Sequence, residues 1–225
     1  MQVTDTLRAL IATLLLSATG TAGAVYPTMP NVINADETYM LYAHGLIAEG
    51  DDPRPVHSRW GADDFPAVAA AIAKGDINAI AYHRHKETEP RAYAVRLAQQ
   101  VRQLLMADVA PNRITMVGFS RGGRIAAYAP RRLKGTPVNT VILAGCGGWI
   151  EEEEGVVLSG TAFSMYETSD TPHSCQQLAD RSGAMTSFEE LAISTGKEHG
   201  AFYRPIPEWV EPVIAWIEKQ ARAEQ

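Results

Sequence analysis

Ser120 stands between Gly118 and Gly122, behind the apolar run Ile114 to Phe119 and ahead of the helix-forming run Arg124 to Ala129. A strand that turns abruptly into a helix leaves no room for side chains beside the turning residue, and flanking glycines supply that room. Ser120 is therefore predicted to sit on a strained backbone, with its hydroxyl clear of the sheet and above a helix N-terminus. A serine hydroxyl alone is a poor nucleophile. A histidine that takes its proton, and the dipole of the following helix, make it a useful one. The same five-residue pattern also occurs as turn glycines around an ordinary loop serine. Here the strand-like run before it and the helical run after it favour the elbow.

Such a serine needs a base that removes its proton and later returns one to the leaving group. His199 lies in the loop Gly196 to Gly200, directly after the strand-like run Glu190 to Ser194, from which its ring can reach back over the sheet edge. The other five histidines have simpler readings. His57 is a loop residue, His173 a surface residue near the acid, and His44 marks the exit of an early strand. His83 and His85 are polar rim residues on the same sheet edge, and a metal pair there would need a third ligand that is not identifiable. No metal and no cofactor are expected.

The acid that orients His199 is expected to be Asp170, in the segment Glu167 to Pro172 just past a strand-like run. A carboxylate there can accept the second imidazole proton and stabilise the imidazolium. Glu167 is the rival. The acidic run Glu151 to Glu154 follows the preceding strand, an alternative position for the acid. It otherwise reads as a solvated loop without the ligand spacing of a calcium site.

These residues must be carried by the elements between them. Thr38 to Ala43 and Ile77 to Tyr82 read as strands, Asp63 to Ala73 and about Pro90 to Ala107 as helices, the latter with Ala94, Leu97, Ala98, Val101, Leu104 and Leu105 on one side. Strand-like runs Asn139 to Gly145 and Thr161 to Tyr166 follow the elbow, then a weak helix around Cys175 to Arg181 and a last helix from about Pro207. This alternation predicts an α/β fold, a mostly parallel sheet with helices on both faces.

At 225 residues, 46% hydrophobic and 20% charged, the chain can bury one substantial core, which argues against disorder. Its net charge of −6 and scattered basic residues leave no stripe for nucleic acid, and Arg131 with Arg132 reads as a solvated face. Residues 1–24 look like a signal peptide ahead of one domain at 25–225: a short weakly basic start, an apolar stretch Ala9 to Ala18, and small residues at Ala22 to Ala24. An uncleaved anchor is the other reading. The stretch is short for a membrane span, so no stable membrane insertion is expected after signal removal. Export would place Cys146 and Cys175 in an oxidising compartment. Both lie beyond the C-terminal ends of strands, which share one edge in a parallel sheet, so a disulfide is expected, with two free buried thiols as the alternative.

With His44, Gly45 and Leu46 after an early strand, Gly118 to Gly122 at the elbow, Asp170 after a later strand and His199 before the final helix, the chain resembles the α/β-hydrolase family. The order serine, acid, histidine is that family's own, and the likeness covers nearly all of residues 25–225. The resemblance implies that the Leu46 N–H joins the Arg121 N–H as an oxyanion donor, with His44 supporting the loop. Each such donor is worth about 10²–10³ in rate. The Arg121 guanidinium is expected to pack on its helix or pair with an acidic neighbour rather than meet an anionic substrate. The polar segment Ile47 to Trp60 is expected to form a mobile rim. The connection between the strands at Val141 and Thr161 is too short for a helical cap domain, so the site should be open. The expected protein is a secreted or periplasmic serine hydrolase of small-molecule carboxylic esters. Thioesterase or peptidase activity, and a non-catalytic binding protein on the same scaffold, are the alternatives, because this fold hosts them all.

Overall fold

The computed structural model describes residues 23–171 and 174–223. The signal-peptide reading falls almost wholly outside those residues. Of its span only Gly23 and Ala24 are described. The Gly23 N–H donates to the Gly75 carbonyl at 2.6 Å, and the Ala24 carbonyl accepts from the Ala79 N–H at 2.8 Å.

Seven strands form one parallel sheet. They are β1 (Val25–Tyr26), β2 (Thr38–Ala43), β5 (Ile77–Ile80), β6 (Ile114–Phe119), β7 (Asn139–Leu143), β8 (Ser159–Glu167) and β9 (Ala184–Ile193), in the spatial order β1-β5-β2-β6-β7-β8-β9. The strands β3 (Val56–His57) and β4 (Gly61–Ala62) pair separately as an antiparallel hairpin. Because side chains alternate along a strand, β2 feeds two cores. Tyr39, Leu41 and Ala43 pack into one with α2 (Pro90–Met106) and α3 (Arg121–Tyr128), while Met40 and Tyr42 join α1 (Phe65–Ile72) and α6 (Pro207–Arg222) in the other. The sheet is thus covered on both faces, and β2, β6 and β7 are buried throughout, as parallel strands require.

Differences from the sequence reading have local causes. The first helix begins at Phe65, not Asp63, because Asp64 is its cap, with Oδ1 accepting from the Ala67 N–H at 3.1 Å. The last strand begins at Ala184, well before Glu190. It is an edge strand, exposed or half-buried at every residue before Ile193, so no buried apolar run marks its start. The two-residue strands β1, β3 and β4 are too short to leave any periodicity.

Cys146 and Cys175 form a disulfide, with Cα atoms 5.3 Å apart and a sequence separation of 29. The closed loop contains α4 (Trp149–Glu152), all of β8 and Asp170. The chain-entropy model gives such a loop about 3–4 kcal/mol of stabilisation. Reductant should therefore lower the thermal unfolding midpoint, and coincident melting curves with and without it would contradict that contribution. Among the described residues, no helix is long and apolar enough to cross a membrane.

Candidate active site

The strand β6 ends at Phe119 and α3 begins at Arg121, so one residue makes the whole turn. Ser120 does so at φ 53° and ψ −117°, a conformation that costs an L-residue on the order of 1–3 kcal/mol. Its N–H donates to the Leu143 carbonyl of β7 at 2.8 Å, which ties the turn to the middle of the sheet. The flanking glycines are dictated by contact. A Cβ on Gly118 would lie 2.1 Å from the Gly122 carbonyl oxygen, and one on Gly122 would lie 1.8 Å from that of Ala43. Both collisions are with backbone, so no rotamer change relieves them.

His199 sits in the 3-10 turn Glu198–Phe202, and its Nδ1 donates to Asp170 Oδ2 at 2.5 Å. A carboxylate at Nδ1 fixes the proton there and leaves Nε2 with a free lone pair. The other Asp170 oxygen accepts from the Thr171 N–H at 2.8 Å. Phe119 and Trp60 pack on the imidazole at ring distances of 4.9 and 5.1 Å. Ser120, His199 and Asp170 line one cavity of about 510 Å³. Among the described residues no hydrogen bond joins the Ser120 hydroxyl to His199, a contact that commonly tightens only when substrate binds.

Glu167, the rival acid, does something else. It is the last residue of β8 and fully buried. Its Oε1 accepts from the N–H groups of Thr195 at 2.7 Å and Gly196 at 3.0 Å, while Oε2 accepts from the Ser169 N–H at 2.7 Å and from the Ser169 hydroxyl. One carboxylate therefore holds the segment leading to Asp170 against the segment leading to His199. Burial pushes its pKa up, but these donors outweigh burial and hold it below the usual carboxylate range. A depressed folded-state pKa gives stability that is present above the unfolded value and lost as pH falls through the folded one. Glu167→Gln should accordingly cost about 1–3 kcal/mol at pH 7, with the gap to the parent protein closing toward acid. Denaturant titrations at several pH values would check this, and a gap constant with pH would contradict it. The acidic run is also occupied elsewhere. Glu153 accepts from Arg91 at 2.6 Å, from the Tyr128 hydroxyl at 2.5 Å and from Arg124.

The loop after β2 is held by buried charges. The His44 Nδ1–H donates to the Gly45 carbonyl at 2.8 Å, and Nε2 accepts from the Arg84 N–H at 2.9 Å. Burial first, then the Arg84 cation, holds His44 well below the ordinary histidine range, so the ring is neutral and both nitrogens are committed. The buried Arg84 guanidinium pairs with Glu49 at 3.2 Å. Arg121 approaches the same carboxylate at 3.4 Å and donates through Nη2 to the Thr88 carbonyl at 2.6 Å. Its side chain is thus engaged as expected for an ion-paired residue. Among the described residues, the N–H groups of Leu46 and Arg121 have no backbone acceptor.

Two histidines differ from their expected placement on the cavity edge. His83 donates from Nε2 to the Ala48 carbonyl at 2.6 Å and packs against His44 and Phe65; His85 bonds the Tyr82 hydroxyl at 3.0 Å. Neither lines the cavity. His57 does, stacked on Trp60 at 4.2 Å, and His173 lies outside the described residues. The hairpin β3/β4 also fixes the far end of the rim, because Trp60 Nε1 donates to Glu198 at 2.8 Å and Arg59 pairs with the same carboxylate at 2.7 Å. Glu198 adjoins His199.

No family model matches the chain. In sequence, 115 residues, 51% of the chain, are 22% identical to PHYLLO, a chloroplastic protein of Arabidopsis thaliana, and the match spans only 7% of that protein's length. Among solved structures, a sugar hydrolase from Lactococcus lactis aligns over 87% of this chain and 92% of its own, with a TM-score of 0.57 and 15% identity. The esterase RhEst1 from a Rhodococcus species aligns over 84% and 93%, with a TM-score of 0.51 and 13% identity. The chain has the α/β-hydrolase fold. In this hydrolase fold the elbow follows the central strand, β6, and residues 144–158 between β7 and β8 hold only the short α4, so no cap domain is inserted there.

Trp60 and Tyr203, cavity walls of the hydrolase fold here, were not singled out by sequence reasoning. The available signal was an aromatic residue inside an otherwise polar rim. Asp63, at the start of the expected first helix, is buried, and burial, with Asp64 nearby, pushes its carboxyl up to about 7. A raised folded-state pKa means that ionisation between about pH 4 and 7 disfavours the fold. Asp63→Asn should therefore be more stable than the parent at pH 8, by roughly 2–4 kcal/mol, and equal to it near pH 4. Parallel unfolding curves at the two pH values would test this.

Proposed function

We propose that the chain is an exported serine hydrolase that cleaves small-molecule carboxylic esters through an acyl-enzyme. The observation that carries the reading is the Asp170–His199 hydrogen bond of 2.5 Å in the cavity that also holds the strained Ser120. In this reading Ser120 Oγ attacks the ester carbonyl while His199 Nε2 takes its proton, and Asp170 stabilises the imidazolium. The Leu46 and Arg121 N–H groups receive the developing oxyanion. Collapse of the tetrahedral intermediate breaks the bond to the alkoxy oxygen, which leaves with the proton from His199. Water, activated by the same histidine, then releases the acid and restores Ser120. Neither a metal nor a cofactor has a role in this sequence. The disulfide supports an oxidising compartment, secreted or periplasmic.

Fluorophosphonate labelling followed by peptide mapping tests this. The adduct is expected on the peptide containing Ser120. Labelling of another serine would overturn the nucleophile, and no labelling at all would favour a binding protein on a hydrolase scaffold.

A further inference from the structure

Ser120 borders a second cleft, one that His199 does not line. This space of about 280 Å³ is lined by Leu46, Arg121, Arg124, Cys146 and Trp149, among others. From it a line of cations and rings follows α3. The Arg124 guanidinium lies 5.5 Å from the Trp149 ring centre and 5.6 Å from that of Tyr128, with Arg91 on Tyr128 at 4.9 Å. Residues 120, 124 and 128 share a helix face, and the 3-10 turn Pro130–Arg132 continues from it. At about 1.5 Å per residue, Arg131 lies roughly 16 Å along that line from the nucleophile.

The line ends in a cavity of about 340 Å³ lined by Arg91, Tyr128, Arg131, Arg132 and Val156. Its charge is compensated only in part. Arg91 and Arg124 share the single carboxylate of Glu153, and among the described residues the Arg131 and Arg132 guanidiniums have no carboxylate or carbonyl partner. Glu151, Glu152 and Glu154 do not line it. The arrangement is also built. Arg102 donates to the Arg132 carbonyl at 2.7 Å, Arg181 spends its guanidinium on the carbonyls of Ile150, Glu153 and Val156, and a Cβ on Gly155 would lie 3.4 Å from Arg131 Nη1. In a chain of net charge −6 this concentration of free guanidinium runs against the overall balance. Guanidinium forks in a concavity suit a carboxylate, sulfate or phosphate.

We infer that this cavity binds an oxyanion carried on the acyl part of the substrate. The assignment rests on the ester-hydrolase reading. His199 must reprotonate the leaving oxygen and lines the other cavity, so the alcohol part lies there and the acyl part takes the side without His199.

Two measurements test it. Inorganic phosphate, titrated calorimetrically into the Ser120→Ala protein, should bind, and Arg131→Gln/Arg132→Gln in the same background should raise Kd about tenfold or more. In the active protein, kcat/KM for the 4-nitrophenyl half-ester of a long α,ω-dicarboxylic acid should exceed that of the 4-nitrophenyl alkanoate of equal length by about tenfold. The double variant should erase that preference while leaving alkanoate turnover unchanged. Absence of phosphate binding would overturn the site. Phosphate binding without any half-ester preference would reassign it to a free anion and overturn the acyl assignment. Normal phosphate binding with no turnover of either ester would instead fail the hydrolase reading, and the acyl assignment with it.

Discussion

Ser120→Ala is expected to lower kcat for ester hydrolysis by about 10⁶, since removal of a triad nucleophile alone costs as much as removal of the whole triad. Fluorophosphonate labelling should vanish with it. The fold should be retained, because the turn is held by the Ser120 backbone N–H to Leu143 and by Gly118 and Gly122, none of which needs the hydroxyl. Ser120→Gly makes the separation sharper. It should be equally inactive yet more stable than Ser120→Ala, since glycine adopts a φ of 53° at little cost. Full turnover in the alanine variant would remove the nucleophile from the proposed chemistry.

Asp170→Asn should lower kcat by about 10⁴, with little change in unfolding midpoint. An amide can offer its NH₂ group to Nδ1, which places the imidazole proton on Nε2, the nitrogen that must accept from Ser120. His199→Ala should be nearly inactive as well. The two rival carboxylates are engaged elsewhere: Glu167 is committed to the Ser169, Thr195 and Gly196 groups, and Glu153 to Arg91, Arg124 and Tyr128. Near-normal turnover in Asp170→Asn would therefore count against a carboxylate-oriented histidine altogether. Steady-state kinetics on a simple aryl ester, with circular dichroism to verify folding, are sufficient.

The elbow is legible in the sequence because its constraint is local: two glycines are needed within five residues, and the flanking runs announce a strand and a helix. The pairing of Asp170 with His199 is nearly as legible, since parallel strand ends share an edge and few polar residues lie there. Glu167 is not. A carboxylate at a strand end carries the same local signature whether it meets an imidazole or a cluster of amides, and only the path of the 194–196 segment decides. Trp60 is hidden for a related reason: its hairpin pairs just two residues on each side, below the length at which alternation can be read. His83 shows the reverse error, a polar residue near the cavity edge that is used to pin Ala48 instead.

The Glu167 carboxylate also determines which motions the reaction can feel. By joining residue 169 to residues 195 and 196 it ties the proposed acid and base into one mechanical unit, while the proposed nucleophile belongs to another, anchored at the sheet centre through Leu143. The tether braces the gap between Asp170 and His199, and in the proposed reaction it leaves the approach of that unit to Ser120 as the coordinate without such a brace. Substrates or substitutions that press on the hairpin carrying Trp60, latched beside His199 through Glu198, would alter the proton-transfer distance without disturbing the tautomer.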